Sequence, residues 1–287
     1  MSTASTYEIG PVEVSRERLF NGLTYVIMYG AALLFTIPFW RMIVRSFTSM
    51  QVISSKGVEW IPPSVSFRVW EEFIFQEPLI ITWAINTFII ATVTTLLVVF
   101  IDSLVAFSIT RLNWPGQRIV FGVIVASFMV PAFVNMIPLY QVVNELGLID
   151  TLPAVILPFT ALPLGVFLLV QFFRDIPVEL EEAARLDGFS TLRIYTHIIL
   201  PLARPILTAL SLFIFVWSWN QFLWPLIVLQ SDSNYTLAVG VVTVRNSHLI
   251  QVNLTMATML VAAAPLFIVF LIFQNKLISA VQLQAGH

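Results

Sequence analysis

The chain has 287 residues, of which 58% are hydrophobic and only 10% charged, with a net charge of −2; a soluble domain carries roughly 25% charged residues. With a mean hydropathy of +0.90, this excludes a soluble globular or disordered protein, and the charge balance excludes nucleic acid as a partner. There is no cysteine, so disulfides, thiolate metal sites and cysteine nucleophiles are excluded too, leaving an all-α polytopic membrane protein.

Residues 1–18 are polar, with Glu8, Glu13 and Glu17, and read as a cytoplasmic N-tail. The apolar run that follows starts too late and is too long for a cleaved signal, so it reads as a first membrane helix. Six windows lack Asp, Glu, Lys and Arg: Leu19–Trp40, Pro78–Ile101, Ile119–Asn144, Thr151–Phe173, Pro205–Ser231 and Asn246–Asn275. A spanning helix needs about 20 apolar residues, and continuous runs are not the alternating pattern of a barrel strand. The expectation is six transmembrane helices in a domain over residues 19–277, with a cytoplasmic C-tail at 278–287. Lys and Arg set the orientation. Nine fall with the N-tail, the second and fourth connections and the C-tail; the other side holds Arg41, Arg45, Lys56, Arg68 and Arg245. Both termini are therefore expected in the cytoplasm.

The connections differ in character. The first external loop, about 46–77, is long and holds Pro62, Pro63 and four glutamates; the second, 145–150, is short; the third, about 230–248, is polar. Glu59, Glu71, Glu72, Asp232 and Arg245 in these loops are candidates for steering an external partner. The cytoplasmic stretch 174–204 holds nine of the 30 charged residues, concentrating the charge the chain avoids elsewhere. Within it, Pro177 to Gly188 reads as a short amphipathic helix. Asp175 suits a cap, Pro177 a first turn, and Glu179, Glu181 and Glu182 the positive end of the helix dipole. Gly188 suits a left-handed stop. Ala183 and Ala184 form a small-residue patch open to close approach by another surface. A second helical stretch is expected from near Ser190 toward Pro201.

Glu182-Ala183-Ala184, then Gly188, then Ile198-x-Leu200-Pro201 resembles the EAA loop of binding-protein-dependent ABC importer permeases. Phe172 to Gly188, Trp219-Asn-Gln-Phe-Leu-Trp-Pro-Leu-Ile227, Tyr235 to Gly240, Asn86-Thr87, Ile137-Pro-Leu-Tyr140 and Trp114-Pro-Gly116 resemble the carbohydrate branch, the MalG-like permeases. The resemblance covers roughly residues 20–285. It implies the type I importer permease fold and half of a translocation path. It also implies a second permease subunit, two cytoplasmic ATP-binding subunits that hold ATP and Mg, and an external substrate-binding protein. Glu182, Ala183, Ala184, Arg185, Asp187, Gly188, Ile198, Leu200 and Pro201 would couple to the ATPase. The setting implied is a prokaryotic cytoplasmic (inner) membrane.

The residues agree that the chain is not itself an ATPase. A phosphate-binding loop needs a Gly-Lys-Ser/Thr step, and the only lysines are Lys56, after Ser55, and Lys276, after Asn275. No cofactor is expected in this chain. No two of its three histidines are spaced as metal ligands. A sugar path needs aromatic faces and hydrogen-bonding groups; candidates are Asn86, Asn135, Trp217, Trp219, Asn220, Gln221 and Asn253. Asp102 is a charge inside the second helix, costing about 2.5–3.5 kcal/mol to insert, where related sugar permeases usually carry a small neutral residue. It is a further path candidate, or a site for ion coupling in a secondary transporter. An amino-acid or peptide importer is the other alternative, and a membrane-embedded enzyme ranks last for want of a nucleophile–base set.

Overall fold

The computed structural model describes residues 11–56, 60–75, 79–247 and 252–285, all of it helix, turn and loop among the described residues. Fifteen α-helices follow in order: α1 (Pro11–Ser46), α2 (Met50–Lys56), α3 (Arg68–Phe75), α4 (Leu79–Arg111), α5 (Gln117–Ala126), α6 (Met136–Glu145), α7 (Leu152–Ile156), α8 (Pro163–Asp175), α9 (Glu179–Leu186), α10 (Thr191–Ile194), α11 (Leu200–Leu202), α12 (Arg204–Trp219), α13 (Leu223–Val228), α14 (Leu237–Ser247) and α15 (Val252–Ala285).

Among the described residues, three helices contain uninterrupted segments long and apolar enough to cross a bilayer: 20–46 in α1, all of α4, and 252–273 in α15. Three further candidates are bent pairs: 117–129 with 133–145, bent by 94°; 152–159 with 163–175, by 40°; and 191–202 with 204–219, by 76°. The expected six spans correspond to counting each pair as one. X-Pro steps explain the first two bends, because the proline ring drives the preceding residue out of the α region. Val130 before Pro131 (ψ 115°) and Leu162 before Pro163 (ψ 125°) are both extended. The window Pro205–Ser231 is not one helix. It ends at Trp219, where the Asn220 side-chain amide donates to Val216 O at 2.7 Å, and resumes only as the short α13. The external loop expectations also change: 46–77 carries α2 and α3, and most of 230–248 is α14.

At 33 residues, α4 is about 50 Å long and runs through every core of the molecule. Its Val98, Ala106, Phe107 and Ile109 join α8, α9, α10 and α12 around Phe173, Ile194 and Ile199. Its Ile80, Trp83 and Ala91 pack with α3, α12, α14 and α15. Its Ile90 meets α6, α7 and α13, where Trp224 Nε1 donates to Ala154 O at 3.0 Å. Helices in lipid gain little from apolar burial against each other, so close packing decides. Two glycines show this. A Cβ on Gly165 would lie 2.0 Å from Asp102 Oδ2, and one on Gly240 would lie 2.0 Å from a Trp83 ring carbon. Thr87, Thr95, Thr110 and Thr258 return their hydroxyl protons to the carbonyl four residues back, satisfying polar groups inside the helix itself. α1 stands at the edge with most of its apolar side chains exposed, and meets α15 through Phe39 and Phe267, 5.0 Å apart edge to face.

Candidate functional site

The charged loop 174–204 is built on the ends of α4 and α8. α8 stops at Asp175 because Ile176 (ψ 123°) precedes Pro177 and is extended. The same step corrects the expected helix start. Asp175 is the last residue of α8 and caps nothing; α9 begins at Glu179, flanked by Val178, without a side-chain cap. Its other end is as expected. Gly188 has φ 80°, its N–H bonds to Arg185 O at 3.0 Å, and Phe189 N–H bonds to Ala184 O at 2.9 Å. That is a Schellman stop, in which the left-handed residue has to lack a Cβ.

α9 divides into two faces. One is buried: Ala184 enters the core of α4, α8 and α12, and Glu181 is only 1% exposed. The other face presents Glu182, Ala183, Arg185 and Leu186 to solvent, followed by Asp187 and Gly188. Leu186 is 90% exposed, with Val178 and Leu180 about half exposed nearby. The open end of α9 thus combines exposed apolar side chains with a small residue and charges of both signs.

Glu181 is neutralised by Arg111, the last residue of α4. Arg111 Nε lies 2.5 Å from Glu181 Oε1, off the line of a good hydrogen bond, so the contact is an ion pair. Arg111 Nη2 donates to Phe173 O at 2.5 Å and Ile176 O at 2.8 Å, adding to the Ile176 N–H that Phe173 O already accepts at 3.2 Å where α8 ends. Arg185, one turn on from Glu181, lies 3.8 Å from its other oxygen and is half exposed. The second limb of the loop is tied to α4 as well. Ser190 accepts from Arg193 N–H at 3.4 Å, and a π-helical turn at Tyr195–Ile199 brings the Tyr195 hydroxyl within 2.7 Å of Ser103 Oγ. Ile198, Leu200 and Pro201 are half-buried on this limb.

The path candidates separate into groups. Trp217, Asn220 and Gln221 line one open groove of about 600 Å³, with Leu212, Phe213 and Val216 as its apolar wall. Trp217 also stacks edge to face with Phe159 at 5.3 Å. Asn135 is exposed beside the bend of the third candidate span. Asn86, Trp219 and Asn253 are buried and hydrogen-bonded to backbone. Asn86 donates to Ser233 O and Tyr235 O (2.9 and 3.1 Å), Trp219 to Ala262 O (3.1 Å) and Asn253 to Thr48 O (3.4 Å). Asp102 is fully buried; its carboxylate accepts the N–H of Leu162, the residue flanking the start of α8, at 3.2 Å. A carboxylate at a helix N-terminus is favoured by the helix dipole.

On the opposite end of the bundle, Asp150 holds two loops together. Its Oδ1 accepts from Gln230 N–H (2.8 Å) and Ser231 N–H (2.9 Å), the Ser231 hydroxyl donates to Oδ2, and Asn234 donates to its carbonyl at 2.7 Å. The Ser231 hydroxyl and then its N–H hold the Asp150 carboxyl down at about 2. Of the external steering candidates, Glu71 and Asp232 are described; Glu59 and the side chains of Glu72 and Arg245 lie outside the described residues. Among the described residues no three His, Asp or Glu side chains are grouped as metal ligands. Sequence reasoning missed Arg111, Glu181 and Gly165 as site residues. Arg111 did carry a signal, as a cation closing the long apolar run of the second helix.

Comparison with known proteins gives consistent results. The profile of the family described as "Binding-protein-dependent transport system inner membrane component" matches residues 99–282. The chain is 31% identical over 250 residues to the arabinooligosaccharides transport system permease protein AraQ of Bacillus subtilis, covering 86% of this chain and 89% of the relative. It is 32% identical over 247 residues to the melibiose/raffinose/stachyose import permease protein MelC of the same organism (85% and 88% covered). It is 31% identical over 228 residues to the trehalose transport system permease protein SugB of Mycobacterium tuberculosis (78% and 83%). Its fold matches a chain of a bacterial ABC transporter that imports the acidic polysaccharide alginate, with a TM-score of 0.79, 22% identity, and 96% and 99% of the two chains covered.

Proposed function

The chain belongs to the family of inner membrane components of binding-protein-dependent transport systems, and from that premise we propose that it is one of two permease subunits of an ATP-driven importer whose cargo is a mono- or oligosaccharide. It sits in the prokaryotic cytoplasmic membrane with both termini inside. It works with a second permease subunit, two ATP-binding subunits that carry the ATP and Mg, and an external binding protein that delivers the cargo.

The observation that carries the coupling half of this reading is the two-faced α9. One face is anchored by Glu181 and Ala184; the other offers Glu182, Ala183, Arg185 and Leu186 to a partner. An ATPase cleft that closes over this face moves a helix already fixed to α4 and α8. The carbohydrate half is supported by relatives named for arabinooligosaccharide, trehalose and melibiose/raffinose/stachyose transport. It is also supported by the groove where Trp217, Asn220 and Gln221 combine an aromatic face with amides, the chemistry that sugars need. Trp219 then serves to hold the groove-bearing α12 against α15, while Asn86 and Asn253 tie other elements together.

The test uses the purified complex. A binding protein loaded with saccharide should raise ATP hydrolysis above the unloaded level, while one offered amino acids or peptides should not. Leu186→Glu, which puts a charge at the centre of the open face, should strip the ATP-binding subunits from the permease during purification. Stimulation by amino acids or peptides instead of saccharide would overturn the cargo assignment.

A further inference from the structure

Arg111 joins three elements with one guanidinium. It is the last residue of α4, its Nη2 binds the Phe173 and Ile176 carbonyls where α8 ends, and its Nε pairs with Glu181 of α9. Both partners are shielded from water, with side chains 6% and 1% exposed. The other cation near Glu181, Arg185, is half exposed and farther away, so water screens it. A planar fork is suited to this, because it holds a carboxylate on one edge and carbonyls on another at once, which an ammonium cannot do in fixed geometry.

We propose that Arg111 and Glu181 form a positioning clamp that delivers motion of the coupling helix to α4 and α8 together, so that hydrolysis in the partner is converted into movement of the path. This deepens the proposed function and rests on α9 being the ATPase dock. The clamp sits on the inner face of α9, opposite the exposed Glu182, Ala183 and Leu186. It therefore contacts no docked partner and acts only through the permease. The apolar part of the attachment, Ala184 in the core, has no direction: a helix can roll about a small side chain. The ion pair and the two carbonyl bonds fix α9 against rolling and sliding. α4 then carries the displacement through all three cores of the bundle.

The experiment uses the whole complex reconstituted in proteoliposomes, with ATP hydrolysis, saccharide delivered and retained ATP-binding subunits measured on the same sample. Glu181→Gln and Arg111→Gln should keep the ATP-binding subunits bound and hydrolysing. Saccharide moved per ATP should fall by about 5- to 150-fold, the range of ordinary coupling energies between two sites. Arg111→Lys, which keeps the charge and loses the fork, should fall in between. The chain lacks cysteine, so the pair Arg111→Cys/Glu181→Cys can be bridged by a short thiol crosslinker without background from other positions of this chain. Unbridged it should be uncoupled, and bridged it should regain transport per ATP. A merely structural role would lower the amount of assembled complex and leave the ratio alone. Native transport per ATP in both Gln variants, or a bridged pair that stays uncoupled, overturns the clamp. Leu186→Glu in parallel separates the two readings. If it binds its ATP-binding subunits and transports normally, the docking assignment has failed. If it loses them while Glu181→Gln is native, only the clamp has failed.

Discussion

Asp102 and Gly165 make a pair whose energetics can be worked from the structure. A methyl group on Gly165 would lie 2.0 Å from Asp102 Oδ2 and 3.1 Å from its Cγ, so Gly165→Ala forces the carboxylate or the α4–α8 contact to move. Overpacking of this kind costs about 1–3 kcal/mol. If the carboxylate swings away, the Leu162 N–H that it accepts at 3.2 Å is left unpaired, for about 1–3 kcal/mol more. Asp102→Ala also orphans that N–H, but removes a buried carboxylate that costs about 2.5–3.5 kcal/mol to place in a membrane helix, so its net effect should be small. The double variant should then cost little more than Asp102→Ala, because the new methyl enters the space the carboxylate left. The assay is the denaturant midpoint of the four proteins in one detergent, read as a double-mutant cycle with an expected interaction of about 2 kcal/mol in favour of the double variant. Additivity to within about 0.5 kcal/mol would refute the reasoning, since the two residues would then not share the space.

Two further outcomes follow from the loops. Gly188→Val places a β-branched residue at φ 80°, where a left-handed conformation costs about 1–2 kcal/mol; saccharide uptake should be lost at normal membrane abundance, checked by transport and immunoblot together. Asp150 has its carboxyl held at about 2, below the ordinary 3.8. Its contribution to stability is therefore present above about pH 4 and is lost as pH falls through 2. Asp150→Asn should lower stability at neutral pH and flatten the acid limb of a pH-dependent unfolding curve, whereas an unchanged limb would place the acid sensitivity elsewhere.

Much of this architecture was readable in composition, because charge is expensive in lipid and its absence marks out the spans. α1, α4 and α15 each contain most of a charge-free window, though they run beyond it, α4 past Ile101 through Asp102 to Arg111. The bends were not readable that way. Val130–Pro131 and Leu162–Pro163 sit inside windows whose hydropathy does not change, and proline alone does not distinguish a tolerated site such as Pro38 in α1 from a break. The left-handed stop at Gly188 was legible because it is local. The start of α9 was misread at Asp175 because the Ile176–Pro177 step outweighs a capping preference. The Arg111–Glu181 pair joins residues 70 positions apart, and nothing local in either segment announces the other. Asp102 stood out in the sequence as a charge, but its partners, Leu162 and Gly165, become visible only once α4 and α8 are packed.

The central claim is that this permease turns ATP hydrolysis in its partners into saccharide movement. The most direct measurement is saccharide accumulation by proteoliposomes holding the complete complex, with the binding protein on one side, ATP on the other, and the ion gradient collapsed by a protonophore. Accumulation should require both ATP and the loaded binding protein, persist without the gradient, and survive Asp102→Asn. Accumulation that stops when the gradient is collapsed at constant ATP, and that Asp102→Asn abolishes, would contradict the claim and assign the energy to an ion moving past Asp102.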